Sequence, residues 1–151
     1  MLPTPTTTVP SPTSSTPANA CDNQHQVTIN DTANVLDTTQ ICNAVSTWPY
    51  TLVIYTTDTS SEISNLSGTA QSLLTNANTV VMVIGIDHSH RHPHPPYITG
   101  GDSVQISNMQ YHHAQQVFTN QANTGDYTNA TIAAIGILQA PDQNQNQNGD
   151  N

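Results

Sequence analysis

The sequence predicts an α/β protein in which a mixed central β-sheet is covered by about four helices, a three-layer type of sandwich. Three observations lead to this prediction. Short segments rich in Val, Ile and Thr are alternately or continuously apolar, the segments between them repeat apolar residues at helical spacing, and capping residues stand where those helices begin. Along residues 25–140 the signals follow the order β-α-β-α-β-β-(β)-α-α.

The first elements are a strand, a helix and a second strand. Polar and apolar residues alternate at residues 25–30, HQVTIN, which predicts a strand. The helix predicted for residues 37–48 opens with Asp37 and, three residues later, Gln40, the spacing of a capping box. The β-branched run at residues 51–57 predicts the next strand.

The middle of the domain places a second helix before the central strand. We predict this helix at residues 59–76, where Thr59 and Glu62 have the capping-box spacing and apolar residues recur at helical intervals. Residues 79–86, TVVMVIGI, form a continuous apolar run. Such a run is typical of a strand that is buried on both faces of a sheet. Short strands are then expected at residues 97–99 and 103–107.

Two helices complete the predicted domain. The first, at residues 107–121, opens with Ser107 and Gln110 in capping-box spacing, and the second occupies residues 126–139. Helical periodicity defines the face that each should bury. These residues are Ala114, Val117 and Phe118 in the first helix, and Tyr127, Ala130, Thr131, Ala134 and Leu138 in the second.

Polar, low-complexity segments flank this domain. Residues 1–24 begin with a Pro/Thr/Ser-rich stretch that predicts an extended arm, and residues 141–151 form a polar tail. We expect the arm to pack against a neighbouring copy of the chain, which would make the protein a homo-oligomer. The two cysteines, Cys21 and Cys42, fit one disulfide that ties the end of the arm to the first helix, with two unpaired thiols as the alternative.

The composition limits the partners. The chain has 151 residues, one Lys or Arg against ten Asp or Glu, and a net charge of −9. A nucleic-acid partner is not expected, because neutralising phosphates requires Lys and Arg. Direct insertion into a membrane is not expected either, because no run of 18 apolar residues occurs. The low charge and the predicted disulfide indicate an extracellular or cell-surface protein that associates with itself easily.

Histidines alternate with other residues in the segment IDHSHRHPHPP, residues 86–96. In an extended chain, residues two apart project to the same side, and the prolines of this segment favour extension. Several imidazoles could therefore share a zinc or copper ion. The alternative is a solvated hairpin tip that binds nothing. The histidines are His88, His90, His92 and His94.

Aspartates follow the predicted strands. Asp31, Asp58 and Asp87 come after the first three strands, and Asp102 follows a later one. If the first three strands are parallel neighbours, their carboxyl ends form one edge of the sheet, where α/β proteins place ligands. Clustered carboxylates are suited to calcium. The alternative is that these aspartates form turns and caps.

The order of these short motifs resembles that of the TPM domain family of extracytoplasmic domains. The matching stretches are INDTANVLD at 29–37, YTTDTS at 55–60, NANTVVMVIGI at 76–86, RHPHPPYITGG at 91–101 and VFTNQANTGDYTNATIAAIGIL at 117–138. The resemblance implies an α/β domain with divalent metal in the Asp loops. It also offers a metal-dependent phosphatase as an alternative function.

The chain departs from the family in its charge. Basic residues of typical members are almost absent, and only Arg91 remains in the hairpin segment. Phosphoryl transfer needs cations around the developing negative charge. We therefore expect a non-catalytic, self-associating structural or binding module, such as a filament or surface-layer subunit, that is able to bind divalent metal.

Overall fold

A computed structural model describes residues 18–20, 27–45, 48–88 and 93–140. Within them, five strands and five helices follow one another along the chain. They are β1 (Ala18–Ala20), β2 (Val27–Asp31), α1 (Thr38–Ala44), β3 (Thr51–Thr57), α2 (Ser60–Ile63), α3 (Leu66–Leu73), β4 (Thr79–Gly85), β5 (Tyr97–Gly100), α4 (Asn108–Ala122) and α5 (Tyr127–Gln139). No helix among these residues is both long and apolar enough to cross a membrane.

The strands form one open, mixed sheet in the order β1-β2-β3-β4-β5. β2, β3 and β4 are parallel, whereas β1 and β5 pair antiparallel with β2 and β4. The register sets Ile29, Ile54, Met82 and Ile98 side by side across four strands. All four are buried, so the alternation in the sequence gives one continuous apolar face of the sheet.

Helices cover both faces of the sheet, which confirms the predicted sandwich. On one face, α1, α4 and α5 pack over the larger core, which contains Ile41, Phe118 and Leu138. On the other face, Ala70 of α3 packs against Val81 and Val83 in a smaller cluster. β4 is buried along its whole length, as its continuous apolar run predicted.

The single helix predicted at residues 59–76 is two helices, α2 and α3. α2 ends at Ile63, and Asn65 begins α3 with a side chain that accepts a hydrogen bond from the Gly68 amide at 3.2 Å. Asn side chains bond readily to nearby backbone amides, which favours helix starts over helix interiors. The apolar spacing continues through the break, which is why periodicity alone missed it.

The predicted strand at residues 103–107 does not form. After β5 the chain turns, with the Val104 amide donating to the Gly101 carbonyl at 3.0 Å. The Ser103 amide donates to the Ala77 carbonyl at 2.9 Å, so this segment closes against the loop before β4. The first predicted helix also ends early, at Ala44, because Val45 is extended.

The remaining long elements agree with the prediction. β3 has the predicted bounds, and α4 and α5 lie within one residue of theirs. Ala114, Phe118, Ala130, Thr131, Ala134 and Leu138 are buried as expected, and Ile135 is a further buried residue that the prediction left out. Val117 and Tyr127 are half-buried.

Candidate functional site

The parallel strands β2, β3 and β4 bring their carboxyl ends to one edge of the sheet. Asp31 lies opposite Thr56, and Thr57 lies opposite Gly85. Asp58 directly follows β3, and Asp87 lies two residues beyond the end of β4. The strand topology therefore places Asp31, Asp58 and Asp87 at one edge of the sheet, as predicted.

Asp31 has a structural role at this edge. Its Oδ1 accepts hydrogen bonds from the Val35 amide at 3.0 Å and the Thr56 hydroxyl at 2.7 Å. Its Oδ2 accepts from the Leu36 amide at 2.9 Å. The enclosed turn includes Asn34, whose φ of 58° is in the left-handed region that Asn tolerates. Both carboxylate oxygens are thus engaged in shaping the turn after β2.

Asp58 stands beside His88. Oδ2 of Asp58 lies 3.6 Å from Nε2 of His88, and the two side chains are 47% and 70% exposed. The backbone nearby is fixed, because the Ile86 amide donates to the Thr57 carbonyl at 2.8 Å. Adjacent parallel strands therefore set this carboxylate and this imidazole side by side.

A second carboxylate–imidazole pair joins the ends of the segment between β4 and β5. Oδ2 of Asp87 lies 3.6 Å from Nε2 of His94, with the side chains 23% and 34% exposed. This pair is less exposed than the first. Because β4 and β5 are antiparallel neighbours, the histidine-bearing segment leaves and re-enters the sheet at the same edge, as the hairpin prediction required.

Asp102, a further aspartate named as a possible metal ligand, does not lie at this edge. β5 is antiparallel to β4, and its last residue, Gly100, pairs with Val80 near the start of β4. The chain therefore reaches Asp102 at the opposite end of the sheet. Asp102 is exposed there, in the turn that follows Gly101.

Several sequence predictions fall outside the described part of the chain, namely Cys21, His90, Arg91 and His92, residues 1–17 and 21–24 of the arm, and the tail at residues 141–151. Among the residues that the structure does describe, no three His, Cys, Asp or Glu side chains come together in a group able to hold a metal. Cys42 is half-buried on α1 and is not a free cysteine. Its pairing with Cys21 stays a prediction.

Sequence reasoning missed a cluster around Glu62. The Tyr55 hydroxyl donates to the Glu62 carboxylate at 3.0 and 3.1 Å, and the Thr57 hydroxyl donates to the same group. Burial, and then the hydrogen bond and charge of Glu62, raise the pKa of Tyr55. Glu62 was predicted to cap α2 with Thr59, but Thr59 makes no side-chain cap bond. The alternation of Tyr55 and Thr57 on one strand face was the available signal.

A shallow groove of about 430 Å³ lies between α4 and the segment that leads into β5. It is lined by Pro95, His112, Gln115, Gln116, Thr119 and Asn120. The Gln115 side-chain amide donates to the Pro96 carbonyl at 2.9 Å and so ties α4 to that segment.

Comparison of the chain with protein-family models, curated proteins and solved structures finds no match. The resemblance to TPM domains therefore stays a prediction from the order of the sequence motifs. The class that the fold defines is an open α/β sandwich, with polar and titratable side chains gathered at the carboxyl edge of its parallel strands.

Proposed function

We propose that this protein is a non-catalytic, self-associating binding module of the extracellular space or cell surface, built on a TPM-like domain. The observation that carries the proposal is β1. Three residues of the predicted arm, Ala18–Ala20, add to the sheet as an edge strand, antiparallel to β2. The arm therefore joins the sheet through a short edge strand. The equivalent strand of another copy of the chain could take the same place.

The size of β1 supports exchange between copies. Only three residues pair, in the register Ala18 with Asn30, Asn19 with Ile29 and Ala20 with Thr28. A strand this short contributes few backbone hydrogen bonds, so leaving the sheet costs little. The same strand from a second copy would restore the same bonds, which is the principle of domain swapping.

The charge distribution supports association over catalysis. The chain has a single Lys or Arg, Arg91, which lies outside the described residues, so none of the described residues at the carboxyl edge supplies a permanent cation to stabilise a transferring phosphoryl group. The few charged residues also leave a surface that relies on neutral polar groups for solubility. A disulfide between Cys21 and Cys42, as the sequence predicts, would fit an oxidising compartment.

Size-exclusion chromatography with light scattering tests the proposal. We expect the full chain to form a concentration-dependent oligomer in the presence of a metal chelator. Removing residues 1–20 should shift the protein towards monomer, because it removes β1 together with the rest of the arm that precedes it. Removing the other tail, residues 141–151, is the matched control and should change nothing. A full chain that is monomeric at every concentration would contradict the proposal.

A further inference from the structure

The spacing of Asp58 and His88 differs from that of a hydrogen-bonded pair. Their nearest side-chain atoms, Oδ2 and Nε2, are 3.6 Å apart, beyond the range of about 2.7–3.2 Å for an N–H···O hydrogen bond. Two ligands of one tetrahedral zinc, each about 2.0–2.2 Å from the metal, lie roughly 3.3–3.5 Å apart. The two atoms are therefore already close to the separation that a shared zinc ion requires.

The local structure holds this pair without using its ligand atoms. The hydrogen bond from the Ile86 amide to the Thr57 carbonyl fixes the two chain segments next to each other. Within the described residues, neither Asp58 nor His88 makes a side-chain hydrogen bond, whereas both oxygens of Asp31 are engaged. Asp58 and His88 thus remain accessible as ligands, and Asp31 does not.

One chain supplies only half of the ligands that zinc needs. A tetrahedral zinc takes four, and no third His, Cys, Asp or Glu joins this pair among the described residues. The pair is also the more exposed of the two at this edge, with side chains 47% and 70% accessible. A second copy related by a two-fold axis would bring the same two residues to the same point.

Charge favours the same arrangement. The Asp58 carboxylates of two copies would repel each other if the two edges met with no cation between them. A zinc ion between them would neutralise two aspartate carboxylates, and the two neutral imidazoles would add no charge. By contrast, Asp87 and His94 are 23% and 34% exposed, which leaves less room for ligands from another molecule.

We propose that Asp58 and His88 form half of a zinc site that is completed by Asp58 and His88 of a second copy. This inference deepens the proposed self-association and rests on it, since zinc would set the contact between copies at the carboxyl edge of the sheet. The arm strand β1 lies at the other side of the sheet from β4, so the two contacts are separable.

The test uses the full chain, first depleted of metal and then titrated with zinc chloride. Calorimetry should give one zinc per two chains, and light scattering should show that the mass doubles over the same titration. Adding a chelator should reverse the doubling. The substitution His88→Ala should weaken zinc-dependent association about tenfold or more, and Asp58→Asn should weaken it in the same direction. The control His113→Ala alters an exposed histidine of α4 and should behave as the unsubstituted chain.

Three results would overturn the site. They are one zinc per chain with no change in mass, zinc-dependent association that persists in His88→Ala, and a mass change with calcium but none with zinc. The arm is tested separately in chelator, where zinc is absent. A chain that associates in chelator but ignores zinc would refute only the zinc site. A chain that is monomeric in chelator and doubles with zinc would refute only the arm contact.

Discussion

The hydroxyl of Thr56, near the end of β3, donates a 2.7 Å hydrogen bond to Oδ1 of Asp31, the last residue of the neighbouring parallel strand β2. The same Thr56 oxygen accepts a hydrogen bond from the Ala33 amide at 3.0 Å. Together the two residues fasten the turn after β2 to the end of β3. Hydrogen bonds of its own polar side chains therefore set the shape of the carboxyl edge of the sheet.

Replacing Asp31 with Ala should destabilise the fold. The substitution removes the acceptor for the Val35 and Leu36 amides and for the Thr56 hydroxyl. We expect the free energy of unfolding to fall by about 1–3 kcal/mol, measured by urea denaturation. Asp102→Ala is the matched control, because Asp102 is an exposed aspartate in a turn, and it should change stability by about 0.5 kcal/mol or less. Equal effects of the two substitutions would refute the structural role of Asp31.

Gln110 should stabilise the end of a neighbouring helix. Its side-chain amide donates to the Ile137 and Ala140 carbonyls at 3.1 and 3.0 Å, so a residue near the start of α4 caps the end of α5. Gln110→Ala should lower the free energy of unfolding by about 1–3 kcal/mol, because Gln110 is buried and the Ala140 carbonyl loses this donor, while the Ile137 carbonyl retains the Ala140 amide.

Gln110→Glu sharpens this test. A carboxylate offers no donor and sets negative charge against the carbonyl end of α5, so it should be at least as destabilising as Ala near neutral pH. Gln116→Ala, at an exposed position on α4, should have little effect. Thermal unfolding followed by circular dichroism measures all three variants. A Glu variant as stable as the unsubstituted chain would show that the two hydrogen bonds do not matter.

Gly101 should not tolerate a side chain. A Cβ at this position would lie 2.5 Å from the Ala77 carbonyl oxygen, which itself accepts from the Ser103 amide. Backbone must move to relieve that contact, so Gly101→Ala should lower the free energy of unfolding by about 1–3 kcal/mol. The control is Gly136→Ala, an exposed helical position of α5 with no atom near the new Cβ. It should raise stability by about 0.5–1 kcal/mol, and urea denaturation of both variants should show opposite signs.

Tyr55 should report on Glu62 at high pH. Burial raises the pKa of Tyr55 first, and the Glu62 hydrogen bond and charge raise it further. Because the folded-state pKa is above the unfolded value, the neutral phenol stabilises the fold at pH values below about 10. That stabilisation is lost as the pH rises through the folded-state pKa.

Glu62→Gln should lower the pKa of Tyr55 towards its ordinary value, because the carboxylate charge is removed. Ultraviolet titration of the tyrosinate measures the shift, with Tyr55→Phe used to isolate the signal. Burial is the first cause of the raised pKa of Tyr111, and Glu62 is not among the causes, so that residue should titrate unchanged in the same variant. An unaltered Tyr55 titration would mean that Glu62 does not act on it.

Local chemistry was sufficient to predict most of the fold. The continuous apolar run identified β4 as central because a strand buried on both faces needs apolar residues on both. The caps formed by Asp37, Ser107 and Asp126 are contacts between residues three apart, and they mark where three helices begin. Asn65 begins a helix by the same kind of contact, but the unbroken apolar spacing around it concealed the break.

By itself, the sequence determined the fold class, the central strand and the positions of Asp31, Asp58 and Asp87 after strands, because periodicity and capping act over a few residues. Only the tertiary structure decided how those side chains are used. In the folded chain, Asp31 accepts hydrogen bonds from its own loop, and Asp58 lies beside His88. Asp102 lies at the opposite end of the sheet, and Glu62 accepts a hydrogen bond from Tyr55. These contacts depend on strand direction and register, which are fixed by pairing between distant segments of the chain.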